Sequence, residues 1–120
     1  MEWAVEFEDD FAPEFAQLSE AVQDELLAHA TVLERQGPML GRPYVDTLKG
    51  SAFPNMKELR FNADHGVWRV AFAFDTDRRA ILLVAGNKTG LRDKAEKRFY
   101  ESLIRTADSR FAGYLKRRQK

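Results

Sequence analysis

Hydrophobic and polar positions alternate from the start of the chain, with Trp3, Val5 and Phe7 set against Glu2, Ala4 and Glu6. That period of two predicts a half-buried strand. The period then lengthens. Phe11, Phe15 and Leu18 predict a short helix, capped by Asp9 or Asp10, with Pro13 tolerated in its first turn. Val22, Leu26, Ala30 and Leu33 form one stripe of a second helix, which Ser19 starts and Gly37-Pro38 ends. The two helices are expected to form a hairpin against a sheet. From Met39 to Asn55, Gly41, Pro43, Gly50 and Pro54 break any period, and the segment reads as an ordered connection.

Alternation returns in three predicted strands, at about 57–62, 67–74 and 80–86. Asp75-Thr76-Asp77-Arg78 supplies the turn before the third, and Ile81-Leu82-Leu83-Val84-Ala85 is apolar on both faces, as a central strand would be. Ala95, Phe99, Leu103, Ala107 and Phe111 then mark the buried stripe of a long helix from about Arg92 to Lys116. The terminal Lys116-Arg117-Arg118-Gln119-Lys120 is expected to be a frayed, solvated end that complements the helix dipole. This order predicts an α+β fold: a small, mainly antiparallel twisted sheet with an N-terminal helical hairpin and a long C-terminal helix. At 120 residues it suits one domain over 1–120.

Two of these strands carry charge in an unusual place. Parity puts Glu58 and Arg60 opposite Leu59 and Phe61, and Arg69, Ala71 and Ala73 opposite Trp68, Val70, Phe72 and Phe74. If the polar rows share a face, the sheet has one packed side and one shallow basic side containing a carboxylate. That side suits a phosphodiester.

Composition narrows the chemistry. With no cysteine, disulfides, thiolate metal sites and nucleophilic cysteines are excluded. His29 and His65 are the only histidines and their spacing suits no metal pair, so neither a metal nor a cofactor is expected. Walker A, dinucleotide and nucleophile-elbow sequences are absent. An acidic N-terminus without a secretory pattern, and no apolar run near the ~18 residues of a span, predict a soluble cytoplasmic protein away from membranes. The formal net charge of zero conceals a division: residues 1–60 hold five bases against twelve acids, and residues 61–120 hold fourteen against seven. Either the two halves attract each other, or one end of the fold is a basic surface for a polyanion.

Glu58, Arg60, Arg69 and Lys88, the last at the end of the central strand, are the candidate catalytic set. RNA cleavage through a neighbouring 2′-hydroxyl needs a base for that proton and cations for the added charge of the phosphorane. Glu58, or a lysine lowered by crowded positive charge, fits the first role; the arginines fit the second. The competing reading is a structural ion pair between Glu58 and an arginine. Arg42, Lys49 and Lys57 are candidate RNA contacts or ordinary solvated charges, although parity denies Lys57 the face of Arg60. Tyr100 either stacks on a base or packs in the helix core.

Gly41-Arg42-Pro43, Asp46-Thr47-Leu48-Lys49-Gly50-Ser51, Asn55-Met56-Lys57-Glu58-Leu59-Arg60-Phe61 and Trp68-Arg69-Val70-Ala71-Phe72-Ala73-Phe74-Asp75 occur in that order. Ala85-Gly86-Asn87-Lys88-Thr89-Gly90, Phe99-Tyr100-x-x-Leu103-Ile104 and Ala107-Asp108 follow. Together they resemble the RelE/ParE superfamily of type II toxins, in its HigB-like, phage-related branch. The resemblance implies a RelE-like, microbial-ribonuclease-like fold and ribosome-dependent endoribonuclease cleavage of mRNA. It also implies a helix-turn-helix antitoxin as partner in a hetero-oligomer, and basic site residues at Arg60, Arg69 and Lys88. The alternatives on the same scaffold are a ParE-like toxin that binds DNA gyrase and a non-catalytic RNA- or protein-binding module.

Overall fold

The computed structural model describes residues 2–118, and its elements follow the predicted order. Strand β1 (Ala4–Phe7) leads into helices α1 (Phe11–Ala16) and α2 (Glu20–Gln36), then a 3-10 turn at Gly37–Met39. Strands β2 (Val45–Thr47), β3 (Lys57–Ala63), β4 (Gly66–Phe74) and β5 (Arg79–Asn87) follow, and helix α3 (Asp93–Arg118) closes the order. One sheet runs β1-β5-β4-β3-β2, antiparallel except where β1 lies parallel to β5. Strand β5, apolar on both faces, is therefore internal.

Local chemistry explains the punctuation. Ser19 Oγ accepts from the Val22 N–H at 3.3 Å to cap α2, and Gly37 ends that helix at φ +53. A Cβ at Gly37 would lie 2.3 Å from the Trp3 indole, so glycine meets both a backbone and a packing requirement there. Asp64 and His65 both adopt positive φ in the two-residue β3–β4 turn, the conformation a tight hairpin of this twist demands. The α1 cap differs from the expectation. Asp10 stands at the N-cap with no side-chain cap bond, and the buried Glu8 carboxylate accepts from the Asp10 and Phe11 N–H groups instead.

Helices cover both faces of the sheet. On one, Phe11, Leu26 and Leu33 pack on Leu59, Val70, Phe72 and Leu82. On the other, Leu103, Ala107 and Phe111 of α3 pack on Ala71, Ala73, Ile81 and Leu83. The expectation of an open basic face is thus corrected: the alanines of β4 form the seat of α3, whose backbone can approach because their side chains are short. A register irregularity at Ala71/Phe72 pairs Ala71 with Val84 and Phe72 with Leu82, leaving Leu83 as the extra residue of β5. Its carbonyl accepts from Arg110 Nη1 at 2.8 Å.

The connection predicted over 39–55 contains a strand the pattern did not reveal, β2, paired with Lys57–Leu59. The rest is fastened to α3: Asp108 receives the Ser51 hydroxyl at 2.5 Å and the Ala52 N–H at 2.8 Å. The expected fraying of the C-terminal end is also corrected. Arg117 pairs with Glu8 and Asp9, and Arg118 pairs with Asp75 and Asp77. Gln119 and Lys120 lie outside the described residues.

Ala107 is fully buried where α3 crosses the sheet. Ala107→Leu should lower unfolding free energy by about 1–3 kcal/mol through overpacking. Urea denaturation checks this; an unchanged midpoint would mean that α3 is not seated on the alanine floor.

Candidate functional site

The pairing register assembles the charged positions. Arg60 of β3 lies directly opposite Arg69 of β4, and Glu58 lies opposite Ala71, all on the α3 face. Asp46 of β2 is the partner of Glu58 on the other side. Two arginines facing each other across an antiparallel pair repel unless anions intervene. Glu58 and Asp46 are those anions: Arg69 Nε lies 3.7 Å from Glu58 Oε1, and Arg60 Nη1 lies 4.0 Å from Asp46 Oδ2.

Arg69 and Glu58 are buried, at 7% and 6% exposure, whereas the Arg60 side chain keeps 34%. Arg69 Nη1 donates to the Trp68 carbonyl at 2.9 Å, but its buried Nε has no hydrogen-bond partner among the described residues. Burial pushes the Glu58 carboxyl above the usual carboxylate range. The Tyr100 hydroxyl, which donates to its Oε1 at 3.1 Å, and the nearby Arg69, Arg60 and Lys88 charges pull the other way without prevailing. Asp46 is held below its ordinary range, first by the Thr47 N–H and then by Arg42 and Arg60.

Lys88 follows β5 and does not stand free. Its Nζ is 2.5 Å from Glu96 Oε2 in the first turn of α3 and 5.3 Å from the Tyr100 ring centroid. Gly86, the partner of Arg69, leaves room for Phe99, whose ring would be 2.7 Å from a Cβ there. Arg69, Glu58, Tyr100, Lys88 and Glu96 thus form one connected chain of contacts under the N-terminal half of α3.

The remaining candidates separate. Arg42 is exposed and pairs with Asp46 at 3.2 Å. Lys57 donates to the Thr47 hydroxyl at 3.0 Å and lies opposite Phe72, a residue of the α2-side core, away from the Glu58 face. Lys49 lines a groove against α3 with Lys97, Tyr100, Ile104 and Arg105. Tyr100 both packs on Phe99 and holds Glu58. His29 lies against Phe61 on the α2 side, and among the described residues no cluster of acids and histidines suits a metal.

Sequence reasoning passed over Asp46 and Glu96 as partners of the site. Asp46 belongs to a strand too short to show a period, and the spacing of Lys88 and Glu96 identifies a pair only once the intervening turn is known. It also passed over a cleft of about 450 Å³ at the β3 edge, bordered by His29, Tyr44, Asn62, Arg60 and Arg69.

A family model described as phage derived protein Gp49-like matches residues 13–112. Two relatives from Mycobacterium tuberculosis (strain ATCC 25618 / H37Rv) carry the names "Putative toxin HigB2" and "Putative toxin HigB3". The first is 45% identical over 91 residues, covering 75% of this chain and 43% of its own. The second is 48% identical over 84 residues, covering 70% of this chain and 68% of its own. The chain therefore spans under half the length of one relative and about two-thirds of the other. Among solved structures, a free mutant of E. coli toxin RelE superposes with a TM-score of 0.58 at 15% identity, covering 82% of this chain and 98% of that one. RelE in an archaeal RelE–RelB complex from Pyrococcus horikoshii OT3 gives 0.55 at 19%, covering 76% and 100%. These two likenesses establish the RelE-type fold.

A raised folded-state pKa at Glu58 means that the folded chain retains a proton the unfolded chain has released. Its contribution to stability therefore falls as pH rises from the ordinary glutamate range towards the raised value. The difference in unfolding free energy between wild type and Glu58→Gln should decline with pH across that window, as urea titrations between about pH 4 and 8 would record. A difference that is flat or rises with pH would mean that Arg69, rather than burial, governs Glu58.

Proposed function

We propose, for a chain that belongs to the phage-derived Gp49-like family and to the HigB-type toxins of the RelE superfamily, that it is the toxin of a type II toxin–antitoxin pair. In this reading it is an endoribonuclease that cuts mRNA on the ribosome, in the cytoplasm, without metal or cofactor. The observation that carries it is the opposed pair Arg60 and Arg69 with a partly desolvated carboxylate beside them. Guanidiniums match phosphate oxygens in geometry as well as charge. A gyrase-binding role is not favoured, since the relatives and structural neighbours carry HigB and RelE names.

The reaction joins the 2′-oxygen to phosphorus and breaks the bond from phosphorus to the 5′-oxygen. Glu58 takes the 2′-hydroxyl proton, a task its raised pKa suits. Arg60 and Arg69 hold the non-bridging oxygens as the phosphorane gains charge. An incoming phosphate replaces Asp46 as the neighbour of Arg60. Lys88, steered by Glu96, positions the chain or returns a proton to the leaving 5′-oxygen. Lys49 and Arg42 guide RNA from the rim, and Tyr100 orients Glu58. Lys57, on the other face, takes no part in the chemistry and is at most a peripheral contact.

One observation favours a second role for Glu58. Its side chain is as buried as that of Arg69, which suits a counter-ion that fixes the guanidinium. Glu58→Gln separates the roles: a base that cannot accept a proton stops cleavage, whereas a neutral hydrogen-bonding partner for Arg69 preserves it.

The antitoxin is a small protein that occludes this face or prevents ribosome entry by its bulk. RelB in the complex of the archaeal neighbour makes such a partner the expected arrangement here. Expression of the chain should arrest growth, and co-expression of the adjacent antitoxin should restore it. Normal growth with folded chain accumulating would contradict the toxin assignment.

Arg60→Ala is the cleaner probe of the phosphate site because Arg60 is only partly buried. It should reduce cleavage in a translating extract by about a hundred- to thousandfold, corresponding to about 2.7–4 kcal/mol of transition-state stabilisation. Its melting temperature should stay close to that of wild type. Undiminished cutting by folded Arg60→Ala would remove the arginine pair from the mechanism.

A further inference from the structure

We propose that the outward face of α2 is a self-complementary surface on which a second copy of this chain docks, the two α2 helices running antiparallel about a two-fold axis. The inference concerns the α2 side of the sheet and does not depend on the ribonuclease reading. It starts from side chains that the fold leaves unused.

Helix α2 buries Val22, Leu26, Ala30 and Leu33 against the sheet. Its opposite face is exposed, yet it is not the uniformly charged surface expected of a helix that meets only water. Asp24, Ala28, Thr31 and Arg35 follow one another at spacings of four, three and four, so they share one direction, and all four are exposed. Leu27 and Val32 flank this row, one on each side, and remain 45% and 38% exposed. The Thr31 hydroxyl donates to the Leu27 carbonyl at 3.0 Å, which meets its polar need within the helix. Asp24 and Arg35 join no ion pair among the described residues.

The spacing supplies the symmetry. In a two-fold dimer, if one residue meets a second across the axis, the second meets the first. Asp24 and Arg35 lie eleven residues apart, about three turns, so they point the same way, and their midpoint falls between His29 and Ala30. Ala28 and Thr31 have the same midpoint. Antiparallel helices centred there bring Asp24 of each copy to Arg35 of the other, and they set Ala28 against Thr31, small side chains that let the backbones approach. A parallel pair would oppose like charges at both positions, so the charges select the antiparallel arrangement.

Each flank keeps to its own side under this rotation. Leu27 therefore meets Leu27 of the second copy along one side of the seam, and Val32 meets Val32 along the other. The Val32 flank continues into an apolar groove of about 270 Å³ that Ala28, Leu40 and Tyr44 border. A specific interface covers about 800 Å² of each partner. Helix α2, with 17 residues and a length of about 25 Å, offers that surface together with this groove and with Met39, 87% exposed just past its end.

Sedimentation equilibrium on the purified chain tests this, with charge reversal as the probe. Wild type should form a dimer that dissociates on dilution and on addition of salt. Asp24→Arg alone sets two guanidiniums against each other, and Arg35→Asp alone sets two carboxylates, so each should weaken self-association by roughly tenfold or more. Mixed in equal amounts, the two variants should form a heterodimer about as tight as the wild-type dimer, because every facing pair is then opposite in charge. Recovery in the mixture also shows that neither variant is simply misfolded. Leu27→Glu should weaken the dimer as well while keeping the circular dichroism of the folded chain.

A wild type that stays monomeric at every concentration would overturn the proposal. So would a dimer indifferent to both reversals, or single variants that fail to associate when mixed. If wild type is monomeric and the α2 amides gain exchange protection only in complex with a co-expressed antitoxin, the face belongs to that partner and the proposal fails.

Discussion

A guanidinium buried to 7% exposure in the middle of a sheet has to be answered by an anion, and much of the site follows from how Arg69 is answered. Glu58 lies near it at 3.7 Å, too far for a full hydrogen bond, and Tyr100 reaches down from α3 to hold that carboxylate. Tyr100 in turn lies under Lys88, which Glu96 anchors to the start of the same helix. The first turns of α3 are thereby tied to the strand ends by polar contacts, and its later turns by Leu103, Ala107 and Phe111 on the alanine floor. The pair is not fully satisfied. Arg69 Nε has no hydrogen bond among the described residues, and burial disfavours the Glu58 charge.

The division of charge along the chain resolves in part as attraction between its two halves. Along the C-terminal half of α3, Arg110 and Arg117 meet Glu14, Glu8 and Asp9, so the two halves of the chain do neutralise each other there. At the other end of the helix, Lys97 and Arg105 flank the Lys49 groove without an ion pair among the described residues. Glu101 and Asp108 line the same groove, so charges of both signs are interspersed there.

Periodicity made β1, β3, β4, β5 and the three helices legible, since each buries a continuous stripe or row. Strand β2 was not legible: three residues, Val45–Thr47, cannot display a period. The same limit hid Asp46 as the partner of Arg60. Ala71 and Ala73 were read as an open floor because a sequence shows small side chains without showing what approaches them. In the fold they admit a helix, and Arg69 changes from a surface cation to a buried one. The tail was misjudged for a related reason: the partners of Arg117 and Arg118 lie at Glu8, Asp9, Asp75 and Asp77, far away in the chain. Arg60, Arg69, Glu58 and Lys88 were legible as a set because strand parity fixes faces locally. Their pairing with Tyr100 and Glu96 required the docking of α3.

The proposed transesterification by arginines and a carboxylate leaves a signature on both product ends. The direct measurement is the end chemistry of mRNA fragments made by the purified protein in a translating extract. Upstream fragments should end in a 2′,3′-cyclic phosphate and downstream fragments should begin with a 5′-hydroxyl, both absent when Arg69→Ala replaces wild type. Fragments with 3′-hydroxyl and 5′-phosphate ends, or no fragments from folded wild-type protein, would contradict it.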